Sequence, residues 1–443
     1  MNLPGIKTLK DNLNFELFLS VFALLDVCLY PYIRPLRCTT SMLLLMIWYA
    51  YRLIQNRSNL KHLVRTLIAD KEVIAFLISV VCIIASLIAG MVSLPATVPS
   101  SYQSGEISVF SRTVTYSVIY VFVFLYYFFY REMVKKYQNL IYITIKAVFA
   151  VIFVFALVYL VSPAAFYSIR SFWTLSGKVQ NATTAASSYY RYTFSFSDPN
   201  NIAAMTVAIT ILLVENKKEK RLIKYGAFAM CAIILLGTMS VQGILGMVAY
   251  LGVKSIYLLY KIINGKIVLK KRTVYVAIGI LVAVLALLPV MLQIPVVEKA
   301  FTRILNNGGS FLTRWNVWKK LIQGNGFFDY LLFGRGCAII LNGEAVSPHN
   351  GHLYILYAYG FVAYLSFMYV FYVKKRSMKW KRMFFLIPFF LCFSINVGLI
   401  DARYSFCMAI ITAFGFAIAQ ANNVPRATED FCHIRRSRFC ENH

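Results

Sequence analysis

The sequence predicts an all-α polytopic membrane protein, a single transmembrane domain over residues 1–443. It should contain about twelve transmembrane helices, with a large, partly helical extracytoplasmic loop between spans 9 and 10. Composition is the first reason. Mean hydropathy is +0.67, and with 60% hydrophobic and 14% charged residues the chain has too little polar surface for an ordinary soluble domain. The second is length: apolar runs of spanning size occur near 15–33, 38–54, 73–94, 107–130, 139–162, 199–214, 224–240, 242–262, 274–293, 352–373, 382–398 and 403–420. The third is where the charge sits. One alternate set of connections carries Arg57, Lys61 and Arg65, then Arg131, Lys135 and Lys136, then Lys217 to Lys224, Lys266 to Arg272 and Lys374 to Arg382, whereas 95–106 carries no Lys or Arg. Basic connections mark the cytoplasmic side.

That alternation places both termini and the basic tail 421–443 in the cytoplasm, and the connections 163–198 and 294–351 outside, as a first outer loop and a large outer loop. Lys7 and Lys10 precede the first apolar run without a small-residue cleavage site after it, so the run reads as a retained span. The net charge of +28 is divided among short clusters between apolar runs, and no nucleic-acid partner is expected. Of nine cysteines, Cys28, Cys82, Cys231, Cys392 and Cys407 fall in apolar runs, and no disulfide framework or zinc spacing emerges.

Ionisable groups inside the spans are few: Asp26, Arg112, Lys146 and Arg403, all towards span ends. Lys146 can snorkel to the cytoplasmic side. Asp26 and Arg112 are both expected near the outer face, as an ion pair or as substrate contacts.

The first outer loop ends in Arg191-Tyr-Thr-Phe-Ser-Phe-Ser-Asp198-Pro199-Asn200. Pro199 suits a first helical turn with Ser197 or Asp198 as its cap. No helix-capping logic requires a guanidinium at Arg191, so it reads as a ligand for lipid headgroups or for one specific phosphate. The large outer loop supplies Arg303, Arg314 and Arg335 at the same face. Within it, Ser310 can cap a helix whose apolar residues Phe311, Leu312, Trp315, Trp318 and Ile322 recur at helical spacing, suited to lie on the membrane surface with Arg314 beside the stripe. Guanidiniums from two loops can grip a pyrophosphate through bidentate forks, and solvated arginines with scattered carboxylate partners are the plainer alternative. His349 stands just before the next span. It is either a satisfied structural group or an imidazole that accepts a hydroxyl proton while the arginines stabilise a phosphate leaving group. His352 lies one turn on, but no carboxylate is placed to complete a metal site with it, so no metal is expected.

These motifs resemble the O-antigen polymerase and O-antigen ligase superfamily of bacterial membrane glycosyltransferases. The likeness rests on the span layout with its late outer loop, on Arg191 leading to Phe196-x-Asp198-Pro199-Asn200, on Ser310-x-x-x-Arg314-x-x-x-Trp318, on Phe333-Gly334-x-Gly336, and on His349-Asn350-x-x-Leu353 followed by Gly360. It covers about residues 190–365. One departure is clear: where many members carry Thr-x-Ser-Arg-Gly, this chain reads Thr238-Met-Ser240-Val-Gln242-Gly243.

The resemblance implies glycan transfer from an undecaprenyl-pyrophosphate-linked oligosaccharide at the outer face of the bacterial cytoplasmic (inner) membrane, without a soluble cofactor. Arg191 and Arg314 would hold the pyrophosphate and His349 would activate or orient the acceptor, making these three the catalytic candidates. Arg303, Arg335 and Arg112 would add pyrophosphate contacts. Asn200, Asn350, Trp315 and Trp318 would contact glycan or serve structure. Polymerisation of repeat units is favoured over ligation to lipid A-core, with a chain-length regulator as a further candidate partner beside membrane lipid. A flippase or anion transporter and a non-enzymatic assembly scaffold are the competing classes.

Overall fold

A computed structural model describes residues 4–29, 40–55, 68–99, 105–173, 191–194, 198–265, 308–323, 332–336, 339–341, 343–346, 349–372 and 402–421, with scattered positions elsewhere. Its helices are α1 (Pro4–Cys28), α2 (Thr40–Gln55), α3 (Lys71–Ser93), α4 (Val109–Val161), α5 (Pro163–Trp173), α6 (Pro199–Glu215), α7 (Arg221–Thr238), α8 (Val241–Ile263), α9 (Gly308–Gln323), α10 (Gly351–Phe371) and α11 (Ala402–Ala421). Two short antiparallel pairs interrupt the otherwise helical fold: β1 (Thr97–Pro99) with β2 (Glu106–Ser108), and β3 (Ile340–Leu341) with β4 (Glu344–Ala345). Helices α3, α4, α7, α8 and α10 are long and apolar enough to cross a membrane, and α6 is a shorter apolar helix. Most of the runs expected to span at 274–293 and 382–398, parts of the large outer loop including Arg303, and the tail beyond 421 lie outside the described residues.

Helix α4 is the axis of the bundle. The two spans expected at 107–130 and 139–162 are two helices that adjoin without a gap across a kink at Tyr137 (φ −125°, ψ 31°), together the 53 residues labelled α4. Its aromatic residues build the core. Tyr120 packs on Tyr359 of α10 at 4.9 Å, Tyr127 on Phe371 at 5.2 Å, and Tyr126 stacks on Phe406 of α11 at 4.6 Å. Offset and edge contacts of this kind add about 0.5–1.5 kcal/mol each beyond the area they bury.

The polar groups sort to the two ends of the bundle. Near the α4 break, ion pairs join separate helices: Arg131 to Asp70 (2.7 Å) and to Glu72, Arg52 to Glu132, and Lys136 to Glu16 (2.8 Å). Lys146, over the Tyr142 ring, reaches Glu219 at 3.4 Å, and Lys254 reaches Glu215 at 2.7 Å. Arg131 and Lys136 belong to a connection whose basic residues the sequence marks as one side, and Arg52, Lys146 and Lys254 lie within expected spans.

Asp26 departs from expectation. Instead of meeting Arg112, it is buried inside the bundle, where its Oδ2 accepts from Ser41 N (2.7 Å) and so closes the first turn of α2. Ser41 Oγ in turn bonds the Tyr126 hydroxyl, fourteen residues along α4 from Arg112 (126 − 112 = 14) and thus about 20 Å away along the axis. The physical reason is that a free helix N-terminus inside a bundle needs an acceptor, and the neighbouring α1 carboxylate supplies it. Asp26→Ala should therefore lower stability by about 1–2 kcal/mol, read as a lower melting temperature in detergent. An unchanged melt would refute this capping role.

Candidate functional site

The end of the bundle opposite the ion pairs gathers most of the residues singled out in the sequence. Three helices begin there, each with an identifiable cap. Asp198 caps α6 by accepting from Asn200 N (2.7 Å), with Pro199 in its first turn. Ser240 caps α8 by accepting from Gly243 N (3.2 Å). Asn350 caps α10 by accepting from His352 N (3.0 Å) and Leu353 N (3.1 Å). Helix N-termini carry partial positive charge, so their convergence suits an anion.

Arg191 is placed by its neighbours. Tyr167 of α5 donates to its carbonyl (2.9 Å), and Tyr192 N donates to Gly237 O (2.9 Å), while the Tyr192 hydroxyl reaches Ile152 O of α4 (2.6 Å). The guanidinium then donates from Nε to Thr238 O (2.8 Å), and from Nη2 to Met239 O (3.3 Å) and Asn200 Oδ1 (3.3 Å). Arg191 thus does serve a helix terminus, contrary to expectation. It caps the last carbonyls of α7, where a cation opposes the negative end of the helix dipole. Ser240 Oγ completes the network with Asn200 Oδ1 (2.7 Å), so Asn200 joins the starts of α6 and α8.

Arg314 and His349 meet at this end as well. His349 feels the charges of both Arg314 and Asp198, and Arg314 feels Asp198, so the three groups occupy one electrostatic neighbourhood. By surface area His349 is exposed, yet burial of the ring body lowers its pKa from the ordinary imidazole value; Arg314 lowers it further and Asp198 opposes both. Burial also lowers the Arg314 pKa against the raising effect of Asp198, and an arginine stays protonated at neutral pH regardless. The lowered pKa favours the neutral imidazole beside a cation, the form in which a general base acts.

Backbone strain concentrates here too. Among the described residues the non-glycine positions with positive φ are Phe194 (46°), Met239 (48°) and His349 (46°), and each borders this cluster. Such conformations cost roughly 1–3 kcal/mol apiece and persist where surrounding structure enforces them, often at functional sites.

Helix α9 delivers Arg314, with two changes from the sequence reading. It begins at Gly308, so Ser310 falls inside its first turn. Its apolar residues divide between two faces: Leu321 is 4% exposed and joins the core, with Val317 packed against it, while Leu312 (61%), Trp315 (53%) and Ile322 (45%) face outward. Spacing explains the division, because 314, 317, 318 and 321 form one stripe and 312, 315 and 322 another. Trp318 is on the inner stripe and meets Trp315 edge-on at 6.2 Å.

Arg335 and Arg112 lie on the other side of this end. The Phe333–Gly336 peptide docks on α10 where that helix breaks at Gly360 (φ 84°, ψ 175°). Arg335 N donates to Tyr357 O and Gly336 N to Ala358 O, both at 3.0 Å, and Ser86 Oγ of α3 donates to Phe333 O. Arg112, 6% exposed, lies over the Tyr116 ring at 5.4 Å, and Tyr116 meets Tyr354 of α10. His352 is enclosed by Tyr364, Tyr372 and Phe390 rather than turned toward His349. Among the described residues no three His, Cys, Asp or Glu side chains group as metal ligands.

No protein-family model matches the chain, and no curated protein matches it either. The site therefore has to be read from its own chemistry. Sequence reasoning missed Ser240, the carbonyls of Thr238 and Met239, and the coupling of Asp198 to His349. The Ser240-x-x-Gly243 spacing was an available N-cap signal; the left-handed Met239 had none, because neither glycine nor asparagine marks it.

Proposed function

We propose that this chain polymerises lipid-linked oligosaccharide repeat units, of O-antigen or capsule type, at the outer face of a bacterial cytoplasmic membrane. About twelve spans would hold the site there, with both termini inside. One observation carries the reading: Arg191, Asp198, Arg314 and His349 share one end of the bundle with the N-termini of α6, α8 and α10. Such an arrangement suits a diphosphate that departs as charge develops on it.

In this mechanism His349 accepts the proton of an acceptor hydroxyl, whose oxygen forms a bond to the anomeric carbon of the donor glycan. The bond from that carbon to the phosphate oxygen breaks, and undecaprenyl pyrophosphate leaves with its charge held by Arg314 and the helix N-termini. Arg191 fixes the α7–α8 junction beside it. No further cofactor is needed, because the diphosphate is its own leaving group.

The pH dependence follows from the lowered pKa of His349. A base is active when neutral, so the acid limb of the rate profile should lie below the ordinary histidine value of about 6.5. Arg314→Gln removes a charge that disfavours protonation, and should move that limb towards higher pH. Measured transfer rates from pH 5 to 8 check this; a limb that does not move, or that moves down, would contradict the assigned pairing.

Transport of the same lipid-linked unit is a second reading, and it draws on the break of α10 at Gly360 with a peptide inserted against it, an arrangement that transporters use to bind substrate. A glycan gel and cell fractionation of a deletion strain separate the two. Single repeats on the acceptor support polymerisation, whereas repeat units trapped inside the cell support transport.

A further inference from the structure

Helix α9 has two unlike sides. The inner one meets the bundle: Leu321 joins the core with Val317 against it, and Arg314 and Trp318 are half-buried beside them. The outer one is open. At about 3.6 residues per turn it divides into two edges. Leu312, Trp315 and Ile322 form the first, with Lys319 among them, and Asn316, Lys320 and Gln323 form the second; all seven are exposed. The charged residues of the 16-residue helix are Arg314, Lys319 and Lys320, with no carboxylate among them. Spacing alone suggests one apolar stripe with Arg314 beside it. The structure instead turns Arg314 inward and leaves two lysines on the face that looks away from the bundle.

This face differs from the outward sides of the spanning helices. Helix α3 exposes Leu77, Val81, Ile84 and Ile88 along one line with no charge among them, as hydrocarbon demands. An apolar edge that holds a lysine, next to an edge of amides and a second lysine, matches neither hydrocarbon nor water. It matches the boundary between them. There an indole sits at headgroup level, and a lysine lays its stem on apolar surface while its ammonium reaches the phosphates. Left in water, Leu312, Trp315 and Ile322 would form the kind of exposed apolar patch that marks an interaction surface. A second copy of the chain docking through the same face would bring the lysines of both helices together, with no carboxylate on either helix to offset them.

We infer that the outward face of α9 is a docking surface for anionic phospholipid at the bilayer interface. Leu312, Trp315 and Ile322 enter the upper acyl region, and Lys319 and Lys320 meet the headgroups. Charge complementarity selects an anionic lipid over a zwitterionic one, by about fivefold for each lysine. Arg314 is on the opposite side of the same helix, so the dock leaves it turned to the bundle and does not depend on glycan transfer.

The test is quenching of Trp315 fluorescence by brominated lipid, on the full chain in nanodiscs, taken as the difference between wild type and Trp315→Phe. Brominated phosphatidylglycerol among ordinary phosphatidylcholine, and the converse mixture, together give the relative affinity of the two lipids for this face. Both should quench wild type, with phosphatidylglycerol preferred about thirtyfold. Lys319→Gln and Lys320→Gln should each lower that preference about fivefold, and the double variant should abolish it. Quenching of Trp315 by neither lipid overturns the dock, and a pair of chains cross-linked through α9 in that case assigns the face to a second copy. Equal affinity for the two lipids on wild type overturns the anionic occupant, as does a preference that the folded double variant keeps. The changed side chains are exposed, so each variant should fold, which melting curves check; the two single lysine variants carry the test where the double one does not fold.

Discussion

Replacing His349 should abolish polymer while leaving the protein in the membrane. A positioned general base is worth about a hundredfold to ten-thousandfold in rate, so a complemented deletion strain carrying His349→Ala should show only single repeats on a glycan gel. The backbone complicates the alanine variant, because residue 349 sits at φ 46°, where an alanine is strained. His349→Asn is the cleaner substitution. Asparagine tolerates left-handed geometry and keeps a polar side chain, but it cannot accept the proton. Loss of polymer in both variants, at unchanged protein level, supports a base at this position. Full-length polymer from His349→Asn would remove His349 from the chemistry and leave it as a turn residue before α10.

The largest effect on the fold is expected at Gly334. Its φ is 73°, and an added Cβ would lie 2.3 Å from Ala358 O and 2.5 Å from Tyr359 N, both backbone atoms of α10. Backbone cannot yield as a flexible side chain does, so Gly334→Ala must push the inserted peptide off the helix break. The bonds from Arg335 N and Gly336 N are then lost together, leaving two carbonyls inside the bundle without donors. Strain and lost hydrogen bonds together should cost roughly 3–5 kcal/mol, seen as a much lower melting temperature and reduced abundance in the membrane. Gly343→Ala is the control. Its φ is 81°, but nothing lies within 4 Å of its Cβ direction, so it should cost only the strain of about 1 kcal/mol. Equal effects from the two would contradict the close packing of the inserted peptide.

The helical, membrane-embedded character of the chain was legible because lipid imposes it through composition and run length, and α3, α7, α8 and α10 fall where the apolar runs predict. The helix caps were legible for a local reason: Asp198 with Pro199, and Asn350, act on donors two or three residues away. What escaped was long-range. Arg191 read as a free ligand because the carbonyls it caps lie 47 and 48 residues further on, in Thr238 and Met239. Asp26 is expected beside Arg112, as an ion pair or as a substrate contact, because both are placed near one face by their runs, whereas its acceptor role toward Ser41 depends on how α1 and α2 pack. The Gly334-x-Gly336 and Gly360 pair was visible as motif but not as contact, since nothing local says that one glycine segment docks on the other's helix break. Trp315 and Trp318 lie on adjoining stripes, the first facing outward and the second inward, for the opposite reason: spacing did contain that answer, and the wider apolar stripe obscured it.

The proposed diphosphate site lies where Arg314, Asp198 and His349 meet, beside the α7–α8 junction that Arg191 caps. The most direct measurement is a cryo-electron-microscopy map of the full chain in nanodiscs with a bound undecaprenyl-pyrophosphate-linked oligosaccharide. Density for the diphosphate within hydrogen-bonding distance of Arg314, beside His349 and the first turns of α6 and α8, is the result predicted. A diphosphate at the ion-paired end near Arg131 and Lys136, or on the bundle flank away from His349, would contradict it.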